Sequence, residues 1–444
     1  MKIGVIGGAS VRTPLLVNGL THSDLPIDRI ALYDDDGDRL AIIGHVAQQM
    51  AARPSAGSLG PELVDGRCRV QLSASIADCV GGADFVFTSI RVGGIAQRIH
   101  DETTVQRHGI VGQETVGPAG FAMAARTIPH MVRYAREIKR LAPSAWIVNF
   151  TNPVGMVTEA MLTESSRVVG ICDTPTELFE EVARALGLRS DECQFDYFGL
   201  NHLGWLREVY SHGVPQLHRL WSDPDRLRSI YKMPLFDPVF LRDLQLLPTE
   251  YVYYYEQPQR AFENVQRAGR TRGQAIAELT SALFESLREP NTDVIAVYRA
   301  YLQARSAGYM QIESAGAPAA PLAAAQLSGY DKIALSVVRA IHFNANAVVP
   351  LSVANGGNIS DLLDRDVVEV PCLLNANGAR PLHVARIPDR VWPLVMRVKE
   401  YERLTVRAAI AQSLDAANDA LALNPLVPDR ATADALFHDL SPPW

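Results

Sequence analysis

The stretch Lys2-Ile3-Gly4-Val5-Ile6-Gly7-Gly8-Ala9-Ser10-Val11-Arg12-Thr13-Pro14 decides how the chain is read. An apolar run ends in two adjacent glycines, and a proline follows shortly after. The pattern predicts a strand, a tight turn and a helix, because proline suits the first helical turn, where its missing N–H is no loss. A helix that opens directly after such a turn offers free N–H groups and a positive dipole end to a pyrophosphate. The usual GxGxxG spacing is incomplete here. Counting from Gly7, the second glycine position holds Ala9 and the third holds Arg12. An ordinary strand–helix–strand unit would also satisfy these features. The next predicted strand, Arg29–Tyr33, ends in Asp34, 27 residues after Gly7. A carboxylate there can accept hydrogen bonds from ribose hydroxyls and would repel a 2′-phosphate, which favours NAD over NADP. Gly7, Gly8, Ala9, Arg12 and Asp34 are therefore the candidate nucleotide contacts.

Working outward, Asp84–Ser89, Trp146–Asn149 and Val168–Ile171 read as further strands rich in Val, Ile and aromatics, as strands buried on both faces should be. A helical pattern runs between them from Phe121 to Leu141. This alternation predicts a Rossmann-like α/β domain over residues 1–195. The pattern then changes. Long helical segments (Gly273–Leu287, Val398–Leu423) and an extended run (Val367–Leu374) predict a C-terminal α+β domain over residues 196–444, carrying substrate and subunit contacts. Arg53–Pro61 and Ser314–Gly329 read as loops, and no internal repeat is found.

Composition narrows the class. In 444 residues, 48% are hydrophobic and 20% charged, the balance of a packed globular chain. The net charge of −7 argues against non-specific binding to nucleic acid or anionic membranes. No apolar run reaches the ~18 residues of a membrane helix. The start runs straight into a strand without the zones of a signal peptide. Five scattered cysteines give no disulfide scaffold and point to a reducing cytoplasm.

Ligands of open parallel sheets lie beyond the carboxyl ends of the strands. Three predicted strand ends carry polar clusters there: Ser89-Ile90-Arg91-Val92-Gly93-Gly94, Asn149-Phe150-Thr151-Asn152-Pro153, and Gly170-Ile171-Cys172-Asp173-Thr174-Pro175. Each has a plainer alternative: a surface ion pair for Arg91, turn capping for Asn149 and Asn152, a small buried hydrophobe for Cys172. His202, 30 residues after Cys172, lies in Gly199-Leu200-Asn201-His202-Leu203-Gly204-Trp205. A thiolate and an imidazole can bind a divalent metal together and leave positions open for substrate oxygens. Tyr251, Tyr253, Tyr254 and Tyr255 are either aromatic packing or the source of a tyrosinate base beside a cation. Gly112–Gly117 is a glycine-bracketed turn that presents Glu114.

Together these segments resemble glycoside hydrolase family 4, the NAD- and manganese-dependent glycosidases. The likeness runs through Ile6–Leu15, Ser89–Gly94, His108–Thr115, Ala125–Pro129, Trp146–Glu159, Gly170–Pro175 and Gly199–Trp205, and thins beyond Tyr255. It implies a nucleotide domain of the lactate/malate dehydrogenase kind and, within the family, a 6-phospho-β-glucosidase acting as a homodimer or homotetramer on a phosphorylated glycoside. It implies that Cys172 and His202 bind Mn2+ or another divalent metal and that Tyr251 is the base. Arg91, Asn149 and Asn152 would contact the sugar, and Asn149 also the nucleotide. The implied reaction oxidises C3 with NAD+, removes the C2 proton, eliminates the aglycone, adds water and returns the hydride. Asp173 or Glu114 could hold the leaving group's proton. Arg91 and Arg272 could meet a 6-phosphate. Asp173 stands where many β-specific members have Asn, which keeps a 6-phospho-α-glucosidase as an alternative. A lactate/malate-type NAD dehydrogenase is a further alternative.

Overall fold

The computed structural model describes residues 1–53, 68–231, 234–315 and 329–442. Of the two expected loops, residues 54–61 and 316–328 lie outside the described residues. The strands, in chain order, are β1 (Lys2–Ile6), β2 (Arg29–Tyr33), β3 (Arg69–Leu72), β4 (Phe85–Thr88), β5 (Trp146–Asn149), β6 (Val168–Gly170), β7 (Cys193–Leu200), β8 (Leu203–Ser211), β9 (Val214–Pro215), β10 (Leu247–Pro248), β11 (Ala347–Ala354), β12 (Val367–Asn375) and β13 (Gly378–Pro381).

β1 to β6 pair in parallel in the order β3-β2-β1-β4-β5-β6, which is the order of the doubly wound dinucleotide fold. The winding reverses between β1 and β4, so a crevice opens beyond their carboxyl ends. The five expected strands are all present. β3 was not expected, because Arg69-Val70-Gln71-Leu72 is a largely exposed edge strand without an apolar run. The expected helix Val398–Leu423 is instead two helices, Trp392–Ala411 and Leu414–Leu423. Gln412 ends the first in a left-handed conformation, and the Ser413 side chain caps the second by accepting from Ala416 N–H.

The two halves share one sheet. β11, β12 and β13, all from the C-terminal half, extend it antiparallel from β6 to nine strands. The main buried apolar cluster runs from Ile3 in β1 to Leu440 near the C-terminal end, and a smaller one gathers Leu15, Val46 and Met50 with Leu283, Ile295, Tyr298 and Tyr301. β7 to β10 form a separate small antiparallel sheet. Its β7–β8 hairpin turns through Asn201 and His202.

Candidate active site

The nucleotide turn is built by close packing. Gly7 has φ 89°, and a Cβ there would lie 2.2 Å from the Ser89 carbonyl oxygen, so only glycine fits against the end of β4. The N–H groups of Gly7 and Gly8 donate to the Tyr33 carbonyl at 2.9 and 2.8 Å. Asp34 staples the turn: one carboxylate oxygen accepts from Ala9 N–H at 3.0 Å and the other from Asp36 N–H at 3.1 Å. Arg12 precedes the helix Thr13–Thr21 and reaches across the crevice. Its guanidinium lies 3.4 Å from an Asp173 oxygen and over the Phe150 ring.

Beyond the end of β6, Cys172 Sγ lies 3.6 Å from His202 Nε2, with both residues buried. His202 holds φ 63°, a left-handed backbone that non-glycine residues adopt at a cost of about 1–2 kcal/mol. Its tautomer follows from its neighbours. Thr115 Oγ1 donates its only proton to Gln113 Oε1 at 3.0 Å, so it must accept from His202 Nδ1–H at 2.8 Å. The Nε2 lone pair then faces Cys172. Burial pushes the imidazole down to about 4, which keeps it neutral near pH 7. Burial, then the charges of Glu369 and Asp173, hold the Cys172 thiol well above its ordinary range. A cation at this pair would supply the missing positive charge and draw the thiol to the thiolate. Among the described residues, no group of three or more His, Cys, Asp and Glu side chains could hold a metal. The donors present are one thiol sulfur and one imidazole nitrogen, a pair whose chemistry fits the implied divalent cation.

Tyr251 separates from its three neighbours here. Its ring stacks on the His202 ring, with centroids 3.8 Å apart and planes within 1°. Its hydroxyl lies 3.4 Å from that of Tyr309, which donates to Glu250 at 2.8 Å. Burial, then the charge of Glu250, hold the phenol of Tyr251 well above its ordinary range. Tyr253 and Tyr254 turn instead to Glu313, and Tyr255 lies near Glu402.

Two of the expected residues already have partners within the protein. Glu114, expected as one of two possible holders of the leaving group's proton, lies between arginines. Burial alone would raise its pKa, but Arg91 at 2.7 Å, Arg98 at 2.6 Å and the charge of Arg305 outweigh that and hold it down at about 2. Its carboxylate bridges the two guanidinium groups of Arg91 and Arg98. Asn149, expected to contact sugar and nucleotide, has its side-chain polar atoms engaged within the protein. It is fully buried, its carbonyl oxygen accepts from Thr88 Oγ1 and Thr151 N–H, and its amide donates to Thr158 Oγ1. It locks the turn before Pro153, the plainer of its two readings. Asn152 differs: its side-chain oxygen is buried with no partner among the described residues, so it remains open to a ligand. Arg272 begins the helix Arg272–Arg288, capped by Thr271, and donates to the Arg305 carbonyl at 2.9 Å. Burial, then the charges of Arg305 and Arg98, lower its pKa, so three guanidinium groups crowd one region.

Several site residues carried no local signal: Arg98, Glu250, Tyr309 and Glu369. Gln113 and Thr115 lay in the turn already singled out, where only the carboxylate drew attention.

Two family descriptions match the chain: "Family 4 glycosyl hydrolase" over residues 2–188 and "Family 4 glycosyl hydrolase C-terminal domain" over residues 197–427. The chain belongs to glycoside hydrolase family 4. Among family 4 relatives, a probable 6-phospho-beta-glucosidase of Bacillus subtilis (strain 168) is 30% identical, covering 99% of this chain and 95% of its own. A phospho-alpha-glucosidase of Clostridium acetobutylicum is 27% identical, covering 99% and 96%. The 6-phospho-beta glucosidase of Thermotoga maritima, solved with manganese, NAD+ and glucose-6-phosphate, matches with a TM-score of 0.82 at 26% identity, covering 99% and 97%. The fold alone extends to a malate dehydrogenase of Cryptosporidium parvum, at a TM-score of 0.51 and 13% identity over 92% of this chain and 99% of the other.

Proposed function

We propose that this family 4 enzyme hydrolyses 6-phospho-β-glucosides to glucose 6-phosphate and the aglycone, with NAD+ and Mn2+ or another divalent cation as cofactors. The observation that carries the reading is the Cys172–His202 pair, 3.6 Å apart at the end of β6, with Tyr251 stacked on the histidine. Cys172 and His202 would hold the cation, and the turn from Gly7 to Arg12, stapled by Asp34, would hold the dinucleotide. When bound, the dinucleotide supplies a reversible hydride acceptor and the cation polarises neighbouring sugar oxygens.

The chain's own groups supply the rest. Tyr251 would take the proton from C2 of the sugar. Asp173, beside Cys172 and 3.4 Å from the Arg12 guanidinium, would assist the departing oxygen as the acid. Asn152 would receive a sugar hydroxyl, and Arg91, Arg272 and their neighbours would meet the 6-phosphate. Residues 1–195 would serve the nucleotide and residues 196–444 the sugar and a subunit contact, in a cytoplasmic homodimer or homotetramer. Light scattering of the purified protein tests the oligomer.

Asp173 favours a second reading, the 6-phospho-α-glucosidase. One assay separates the readings: aryl α- and β-glucoside 6-phosphates, each with and without NAD+ and Mn2+. Hydrolysis of the β-substrate that needs both cofactors, with solvent deuterium at C2 of the product, is the expected result. Activity that survives chelation, or NADH accumulating in step with product, would instead favour a dehydrogenase-type or metal-free reaction.

A further inference from the structure

Glu369 is a buried carboxylate, 1% exposed, in the middle of β12. No cation lies within salt-bridge reach of it among the described residues. Its partners are two neutral groups, the Tyr197 hydroxyl at 2.8 Å and the Asn201 side-chain amide at 3.0 Å, and burial pushes its pKa up to about 7. Buried charges are ordinarily paired or set beside a metal, because an uncompensated one is costly.

Its two partners belong to the hairpin that carries His202. Asn201 is the first residue of the β7–β8 turn and His202 the second. Tyr197 lies in β7, and its hydroxyl crosses over Gly204 of β8 on the way to Glu369. A Cβ at Gly204 would fall 1.9 Å from that hydroxyl, so this glycine makes the route possible. The strand register brings Glu369 to the other ligand as well. Glu369 pairs with Ser352 of β11, and Ser352 pairs with Gly170 of β6, two residues before Cys172. The Glu369 charge is felt at the Cys172 thiol. One carboxylate from the C-terminal half thus ties down the turn bearing one ligand and faces the strand end bearing the other.

We propose that Glu369 is a positioning residue for the metal-binding histidine: through Tyr197 and Asn201 it clamps the β7–β8 turn so that His202 stands opposite Cys172 before the cation arrives, and its charge favours a divalent cation there. The clamp complements the hydrogen bond from His202 Nδ1 to Thr115. One contact orients the ring, and the other fixes the left-handed backbone that carries it. Groups that orient a metal ligand from behind typically contribute 10–100-fold to metal affinity. The inference rests on the reading that Cys172 and His202 hold the cation.

The test is direct Mn2+ binding to the purified full chain, followed by electron paramagnetic resonance, with NAD+ affinity measured in parallel. Glu369→Gln keeps the shape, still accepts from Asn201 and can donate to the Tyr197 oxygen in place of accepting from it, but removes the charge, and should weaken Mn2+ about 10-fold. Glu369→Ala removes both and should weaken it about 100-fold, the upper end of that range. Tyr197→Phe removes one arm of the clamp and should cost a few-fold. NAD+ affinity should stay within about twofold throughout. Wild-type Mn2+ affinity in Glu369→Gln and Tyr197→Phe overturns the inference. So does parallel loss of Mn2+ and NAD+ affinity in both, which would make Glu369 a general fold residue. If Cys172→Ser and His202→Ala themselves retain wild-type Mn2+ affinity, the metal reading has failed. If they lose it and Glu369→Gln does not, only the role of Glu369 has failed.

Discussion

Two regions of the crevice use the same residue type in opposite ways. Around Glu114, a carboxylate is held between Arg91 and Arg98, and its pKa falls to about 2. Around the Cys172–His202 pair, the side-chain partners of Glu250 and Glu369 among the described residues are neutral hydroxyls and an amide, and burial pushes both to about 7. In the first region the carboxylate is paired with cations of the protein itself. The second holds buried carboxyl groups with no cation in salt-bridge reach among the described residues, beside a thiol and an imidazole that face each other. A cation bound there would offset the cost of ionising these groups.

The largest effect that could break this contrast lies in the second region. Cys172→Ser and His202→Ala should each reduce metal-dependent hydrolysis to background while NAD+ affinity, followed by fluorescence titration, holds. Equal loss of NAD+ would mean damage to the fold. Next, Tyr251→Phe should lower kcat by about 10²–10⁴, the usual worth of a placed proton-transfer group, with Mn2+ affinity little changed. Asp34→Ala should weaken NAD+ by about 1–3 kcal/mol in a calorimetric titration, because it removes a charged acceptor and frees the Ala9 N–H that it holds.

The smallest effect is the pH dependence of stability in the metal-free protein, where the two regions have opposite signs. Glu114 has a lowered pKa, so its contribution is present above its ordinary value of 4.5 and is lost as pH falls from there through about 2. Glu250 and Glu369 have raised pKa values, so their contribution is full below 4.5 and is lost as pH rises through about 7. Thermal melts should show Glu114→Gln flattening the acid limb and Glu369→Gln flattening the limb between 4.5 and 7. If Glu369→Gln leaves that limb untouched, Glu369 is not the raised carboxyl that the contrast requires.

The parallel strands and the glycine turn were legible because each is a local apolar run with its own punctuation. β3 was not, because an edge strand needs no continuous apolar stretch. Cys172, His202 and Tyr251 were singled out through the family resemblance, and the packing sets Tyr251, stacked on His202, apart from the three nearby tyrosines. Asn149 shows the limit of motifs: an asparagine before a proline reads equally as a ligand contact or a turn lock, and only the structure shows its hydrogen bonds filled within the protein. Glu369 and Glu250 were invisible, because what makes them informative is burial without a cation partner among the described residues, a property of residues far apart in sequence.

The nine-stranded sheet bears on how the chain is made. β6, the strand that leads to Cys172, is bonded on one side to β5 and on the other to β11, which ends at Ala354. During synthesis that flank stays bare until more than a hundred and fifty further residues have left the ribosome. An open strand edge is a template for stray pairing with other chains. The floor of the crevice is thus completed late, and unfinished or truncated products are the species most exposed to aggregation.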